Sequence, residues 1–317
     1  MAKNSLFRAN GRVRPIWRFF LSVLIIGIVV VVAGTILGVA AHLLSWHPGQ
    51  VTALAVQGLV VLPLLLAAFK LLTAVFERRP LGSVGLAFRG RWGRELAHGV
   101  VLGAVMILVV AGSERLLGLV TFSWISAPLG HTALECVAVG AVFLVAACNE
   151  ELIFRGYPFQ RLVDSIGPVG AIAVLSALFG AAHLANSSRT WVSTVNTMLV
   201  GVPLAIAYLR TRALWLPVGI HVSWNFVQGF LLGLPVSGLR LSNTLVQPEI
   251  RGPLWLTGGN YGPEGGVLAT AVVLLATVYV LLSKRIYISK EMRELVLSPV
   301  PPLPDARRDE PVGPSDS

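Results

Sequence analysis

The chain has 317 residues, of which 55% are hydrophobic and 13% are charged, and its mean hydropathy is +0.76. An ordinary soluble domain has about a quarter of its residues charged, so this composition excludes that class and indicates an integral membrane protein. The formal charge of +10 does not indicate nucleic-acid binding, because the basic residues flank the apolar runs, where they set orientation in a bilayer.

The apolar runs predict an all-α fold, a polytopic membrane bundle of about eight transmembrane helices. The first run, residues 19–44, has no charged residue. It predicts an uncleaved helix, because a cleaved signal peptide has an apolar core of only about 7–15 residues. The later runs lie near 51–75, 97–112, from 132 into an acidic motif, 168–186, 191–208, 214–234 and 265–282.

These runs divide the chain into five parts. They are a basic N-terminal segment (1–18), three helices with their loops (19–131), a core of four helices (132–235), an outer loop with the last helix (236–297), and a tail (298–317) that we expect to be disordered and cytoplasmic. In this arrangement 20 of the 25 Lys and Arg residues lie on one side. The bias predicts a multi-pass protein with both termini cytoplasmic, and we expect a bacterial cytoplasmic membrane.

Two adjacent acids, Glu150 and Glu151, follow the fourth apolar run. The helix either stops before them, which leaves both in cytoplasmic water, or continues through Phe154 to about Arg161 with Glu150 inside. In the second case Glu151 and Arg155 form an ion pair at i,i+4 spacing. Glu150 then points about 100° away and is available for chemistry.

Three more polar side chains interrupt later apolar runs. A lone histidine such as His183 is more often a packing residue than a catalyst, but His221 and Asn225 share one helix face. Counted at 1.5 Å per residue from the cytoplasmic side, Glu150, His183 and His221 lie about 16, 22 and 14 Å deep. All three depths fall in the middle of a hydrocarbon core about 30 Å thick, so the sequence predicts a shared site.

These residues resemble the motifs of the CPBP family of intramembrane proteases. That family includes type II CaaX prenyl endopeptidases and bacterial homologues linked to bacteriocin processing and self-immunity. The resemblance covers roughly 135–235. It rests on three motifs in order: Glu-Glu-x-x-x-Arg at Glu150, Glu151 and Arg155; Phe-x-x-x-His at Phe179 and His183; and His-x-x-x-Asn at His221 and Asn225.

The resemblance implies a glutamic-type endopeptidase that uses neither a metal nor another cofactor. It implies catalytic roles for Glu150, His183, His221 and Asn225, and orienting roles for Glu151, Arg155 and Phe179. Glu150 and His183 would activate water as a general base, and His221 and Asn225 would stabilise the oxyanion. The implied partners are the bilayer and a protein or peptide, cut near its C-terminus or in its membrane-proximal part.

Other functions remain open at this point. Glu150, His183 and His221 could instead form a two-histidine, one-carboxylate zinc site, although the usual His-Glu-x-x-His helix is absent. A non-catalytic immunity or scaffold protein would keep the same fold. A secondary transporter is a weaker alternative, because the chain has no internal repeat. The residues do not indicate whether the substrate is prenylated.

Overall fold

The computed structural model describes residues 5–9, 12–125 and 128–297, so the tail predicted for 298–317 and part of the basic N-terminal segment lie outside the described residues. The longer helices are α1 (Pro15–Leu43), α2 (Gln50–Leu72), α3 (Trp92–Leu116), α4 (Leu129–Arg155), α5 (Tyr157–Ala182), α6 (Trp191–Thr211), α7 (Trp215–Phe226) and α9 (Val267–Leu282). The shorter ones are α8 (Leu254–Thr257) and α10 (Lys290–Leu297). The predicted helical membrane bundle is confirmed.

Length and apolarity support several membrane crossings. Within the described residues, five helical stretches are long and apolar enough to span a bilayer, and one of them, Gly130–Ala185, contains both α4 and α5. The helix Val267–Leu282 is apolar but shorter. The eight long helices follow the predicted order, whereas the number of spans stays a prediction, as do the five predicted parts of the chain.

Two loops of the predicted bundle form a small sheet. Strand β3 (Val120–Trp124) pairs antiparallel with β4 (Val246–Ile250), so the connection before α4 is tied to the long loop before α9. A second pair, β1 (Arg8–Ala9) and β2 (Arg12–Val13), precedes α1. These ribbons were not predicted. Each strand is short, but the alternation of apolar and polar residues in β3 was a usable signal that the sequence analysis missed.

The fourth and fifth helices differ from the prediction. Helix α4 ends at Arg155 and α5 begins at Tyr157, so the chain does not continue as one helix to Arg161. A second irregularity lies within α5 at Gly167, where φ is +78°. The predicted depth of Glu150 was counted along one unbroken helix as far as Arg161. That count is therefore wrong, because the helix is interrupted at Gly156.

Gly156 makes the tight junction between α4 and α5, and only glycine fits there. A Cβ atom at this position would lie 2.3 Å from the carbonyl oxygen of Leu152. We expect Gly156→Ala to lower the free energy of unfolding by about 1–3 kcal/mol, because backbone must shift to relieve the overlap. Thermal unfolding in detergent measures this. Gly34→Ala is the control, since a Cβ there meets nothing within 4 Å, and equal stability of the two variants would contradict the expectation.

Helix α7 packs directly against the backbone of α3. Cβ atoms at Gly99 and Gly103 would lie 2.3 Å and 2.2 Å from the carbonyl oxygens of Leu216 and Ile220. Small residues four apart allow such close approach between membrane helices. This contact fixes the position of α7, the helix that carries His221.

Candidate active site

Glu150 lies in the last turns of α4, at the wall of a cavity of about 850 Å³. Residues from α1, α2, α4, α5, α6, α7 and the loop before α9 also line this cavity. The Glu150 side chain is 33% exposed, whereas Glu151 is fully buried. The interpretation that leaves both acids in cytoplasmic water is therefore wrong for Glu151.

Both histidines face the Glu150 carboxylate. Its Oε2 atom lies 3.9 Å from Nε2 of His183 and 3.8 Å from Nε2 of His221. In the described part of the chain this oxygen has no direct hydrogen-bond partner. The separations exceed those of direct hydrogen bonds, but a water molecule beside such a pair reaches both atoms at about 2.8 Å. The arrangement can hold a water between one acid and two imidazoles.

His183 is oriented by the helix that it ends. The residue begins a 3₁₀ turn directly after α5, and its Nδ1 lies 2.8 Å from the carbonyl oxygen of Phe179. A carbonyl oxygen only accepts, so Nδ1–H donates and the neutral ring leaves Nε2 as an acceptor. The acceptor side of His183 thus faces Glu150.

Glu151 and Arg155 form the ion pair that their spacing predicts, with Arg155 Nη1 3.1 Å from Glu151 Oε1. Arg155 also donates through Nη2 to the carbonyl oxygen of Gly201 on α6. The same Oε1 of Glu151 lies 2.9 Å from Nδ1 of His221. The two adjacent acids therefore face opposite nitrogens of one imidazole ring, a link that the sequence analysis missed.

Phe179 packs at the centre of this group. The Arg155 guanidinium lies 4.5 Å from the ring centroid, a distance typical of a cation–π contact. The ring centroids of His183 and His221 are 4.7 Å and 6.3 Å away. Phe179 thus separates the buried ion pair from the cavity and packs against both imidazoles.

Asn225 lines the same cavity as Glu150 and both histidines. It follows His221 by one turn of α7, which the glycine contacts with α3 hold in place. The structure thus brings together all seven residues of the three motifs in one cluster around the cavity and the adjoining ion pair.

The chain was compared with protein-family models, curated proteins and solved structures. Residues 132–227 match the model of the type II CAAX prenyl endopeptidase Rce1-like family. This segment is Rce1-like. The resemblance stated from the motifs is confirmed, and the family supports intramembrane CAAX protease activity in general terms. The search of curated proteins gave no significant match, and neither did the search of solved structures.

Much of the cavity wall lies outside the Rce1-like segment. Helix α2 contributes Gln50 and Gln57, seven residues apart. The loop before α9 contributes Ser237 and Glu264, which the sequence analysis did not single out. Two polar residues inside an apolar helix were a usable signal for α2, but nothing in the loop sequence indicated which of its residues turn inward.

A polar network joins that loop to the Rce1-like segment. Asn196 on α6 donates through Nδ2 to the carbonyl oxygens of Glu264 and Gly266, at 2.8 Å and 2.9 Å. Glu264 in turn accepts from the backbone N–H of Ser237 at 2.6 Å. The α6 helix begins with a reciprocal cap between Thr190 and Ser193, which fixes the turn that precedes Asn196.

The zinc alternative requires a ligand set held at metal-binding spacing. Among the described residues, no group of three or more His, Cys, Asp and Glu side chains could hold a metal ion as it stands. One nitrogen of each site imidazole already has a protein partner. The other two nitrogens and Glu150 are the only candidate donors of the predicted set.

Proposed function

We propose that this protein is an intramembrane endopeptidase in which Glu150 and His183 activate a water molecule to hydrolyse a peptide bond. The observation that carries the proposal is the approach of one buried carboxylate oxygen to two imidazole nitrogens, at 3.8 Å and 3.9 Å, at the wall of a cavity of about 850 Å³. A positioned base next to a bound water is what general-base hydrolysis requires.

The reaction begins with the water between Glu150 and His183. Glu150 takes a proton from this water while the oxygen of the water attacks the carbonyl carbon of the scissile bond. The tetrahedral intermediate collapses when the C–N bond breaks, and the proton held by Glu150 passes to the departing amine. His183 holds the water through its Nε2 acceptor, because its Nδ1 is committed to Phe179.

His221 and Asn225 stabilise the negative charge that develops on the carbonyl oxygen. His221 has a carboxylate at each nitrogen, Glu151 at Nδ1 and Glu150 at Nε2. In this role the ring is an imidazolium, in which both nitrogens donate. The Nε2–H then points into the cavity, beside Asn225. Preorganised donors of this kind contribute about 10²–10³-fold to the rate.

The proposed substrate is a protein or peptide that reaches the cavity from the bilayer, cut in its membrane-proximal part or near its C-terminus. We place both termini in the cytoplasm of a bacterial cell, on the basis of the distribution of Lys and Arg. The proposed mechanism needs neither a metal nor an organic cofactor, and nothing in it involves nucleic acid.

An unbiased comparison of membrane-proteome cleavage products tests the proposal. Cells with the wild-type protein should show products that are missing from cells with Glu150→Ala. Glu135→Ala is the matched control, since Glu135 also lies on α4 but bonds Asn243 rather than lining the cavity; its products should equal those of the wild type. Identical product sets for the Glu150→Ala and wild-type proteins, both folded, would instead favour a non-catalytic immunity or scaffold protein.

Chelation of the purified protein separates the water mechanism from the zinc alternative. Purified protein should cleave its identified substrate at an unchanged rate after exhaustive chelation. A loss of activity that added Zn²⁺ restores would overturn the metal-free mechanism and assign Glu150, His183 and His221 as ligands.

A further inference from the structure

The cavity wall contains acidic side chains but, among the described residues, no lysine or arginine. The two acids are Glu150 and Glu264. The nearest arginine of the site, Arg155, is buried and paired with Glu151 behind the wall. A substrate group with a negative charge would thus find no lysine or arginine in this cavity wall, and the proposed His221 imidazolium already faces two carboxylates.

We infer that Glu264 binds a Lys or Arg side chain of the substrate next to the scissile bond. The inference rests on the proposed function and names its substrate class. It concerns a residue outside the Rce1-like match at 132–227.

The position of Glu264 fits this role. Its side chain lines the cavity and is held by Ser237, whose backbone N–H and hydroxyl both donate to Oε2, at 2.6 Å and 3.2 Å. His183 lines the same cavity as Glu264, and its Nε2 lies 3.9 Å from Oε2 of Glu150. The subsite and the proposed water site therefore belong to one cavity.

The chemistry of this carboxyl group favours a cationic partner. Burial raises the pKa of Glu264, and hydrogen bonds from Ser237 and Gln228 oppose that rise. A carboxyl group in this state gains from an incoming ammonium or guanidinium, which replaces the stabilisation lost with water. Asn186, Ser187 and Thr197 line the same cavity, and their side chains can donate hydrogen bonds to a peptide backbone or accept them from it.

A structural role for Glu264 is the competing explanation, because the carboxylate also holds a turn in which Ser237 has φ +48°. The variant Glu264→Gln separates the two roles. Glutamine keeps an oxygen that accepts from the Ser237 N–H, and it removes the charge. A purely structural role predicts that this variant changes stability or overall rate without changing the choice between basic and neutral substrates.

The test uses a library of acetylated and amidated peptides with Lys or its neutral isostere norleucine at each position, cleaved by the purified protein in nanodiscs. We expect wild type to prefer Lys at one fixed position near the cut by roughly 10- to 100-fold, the contribution of a hydrogen bond to a charged group. Glu264→Gln should reduce this preference to about one. Glu249→Gln is the control, because Glu249 pairs with the exposed Arg251 and lies outside the cavity.

A binding measurement keeps this inference independent of catalysis. In the Glu150→Gln background, the fluorescent Lys peptide should bind more tightly than its norleucine counterpart, and adding Glu264→Gln should abolish the difference. Equal binding of the two peptides to the Glu150→Gln protein, or a Lys preference that survives Glu264→Gln, would overturn the inference. Absence of cleavage with the binding preference intact would count against the proposed function alone.

Discussion

A protein that lacks both the Glu150 carboxylate and the His183 imidazole is expected to be about as inactive as one that lacks the carboxylate alone. Glu150→Gln should lower kcat by about 10²–10⁴-fold, the usual contribution of a positioned base. His183→Ala should have a comparable effect. In the proposed mechanism both groups act on one water, so the double variant should stay within about threefold of Glu150→Gln. Single-turnover cleavage of an identified substrate measures all three rates.

Asn225→Ala is the comparison variant for the Glu150 and His183 substitutions. Asn225 lies on the oxyanion side of the proposed site and does not handle the proton, so its loss should reduce the remaining rate of Glu150→Gln further, by about 10²-fold. If the effects of Glu150→Gln and His183→Ala multiplied instead, the two residues would act at separate steps and the shared water would be wrong.

Arg155→Met is expected to be the substitution most damaging to stability. Arg155 and Glu151 are 2% and 0% exposed, and removing the guanidinium leaves the buried Glu151 carboxylate with His221 as its remaining side-chain partner among the described residues. Breaking such a pair from one side costs about 3–5 kcal/mol of the free energy of unfolding. Unfolding in mixed micelles measures the loss. Arg251→Met is the matched control, because the exposed pair of Arg251 with Glu249 should contribute no more than about 1 kcal/mol.

The double variant Glu151→Met with Arg155→Met distinguishes stability from activity. Removing both charges eliminates the uncompensated carboxylate, so we expect much of the lost stability to return. Activity should not return, because His221 has then lost the carboxylate at its Nδ1. A stable and fully active double variant would show that the Glu151–His221 contact has no role in orienting the ring.

Local spacing was enough to predict the parts of the site that belong to one helix. The Glu151–Arg155 pair follows from i,i+4 geometry, and the shared face of His221 and Asn225 follows from the same rule. The order of the long helices follows from the apolar runs. These features depend only on the rise and the angle per residue of an α-helix, so they follow from the spacing of the residues in the sequence.

Contacts between helices were harder to predict from the sequence. Which nitrogen of His221 each of the two acids faces depends on the rotation of α4 about its axis relative to α7, and a single sequence does not specify that angle. The glycines at 99 and 103 did carry a usable signal for the α3–α7 contact. The junction at Gly156 carried one too, because a glycine directly after the acidic motif is a natural helix end.

The loop before α9 was the hardest part to predict. Glu264 enters the cavity because Ser237 and Asn196 hold the surrounding backbone, and these residues are far apart in the chain. The β3–β4 ribbon also joins two distant loops. Strand β3 alternates apolar and polar residues, but nothing in the sequence indicates that its partner strand lies in the loop before α9, so only the packed structure reveals these two arrangements.

The proposed reacting groups and much of the remaining cavity wall belong to different stretches of the chain. Glu150 and both imidazoles lie in the stretch 132–227, while Gln50, Gln57 and Glu264 come from before and after it. Mutations in the flanking stretches can therefore redirect the choice of cleaved protein and leave the bond-breaking chemistry intact. Evolution could in this way retarget such a hydrolase by exchanging its outer helices and loop around an unaltered centre.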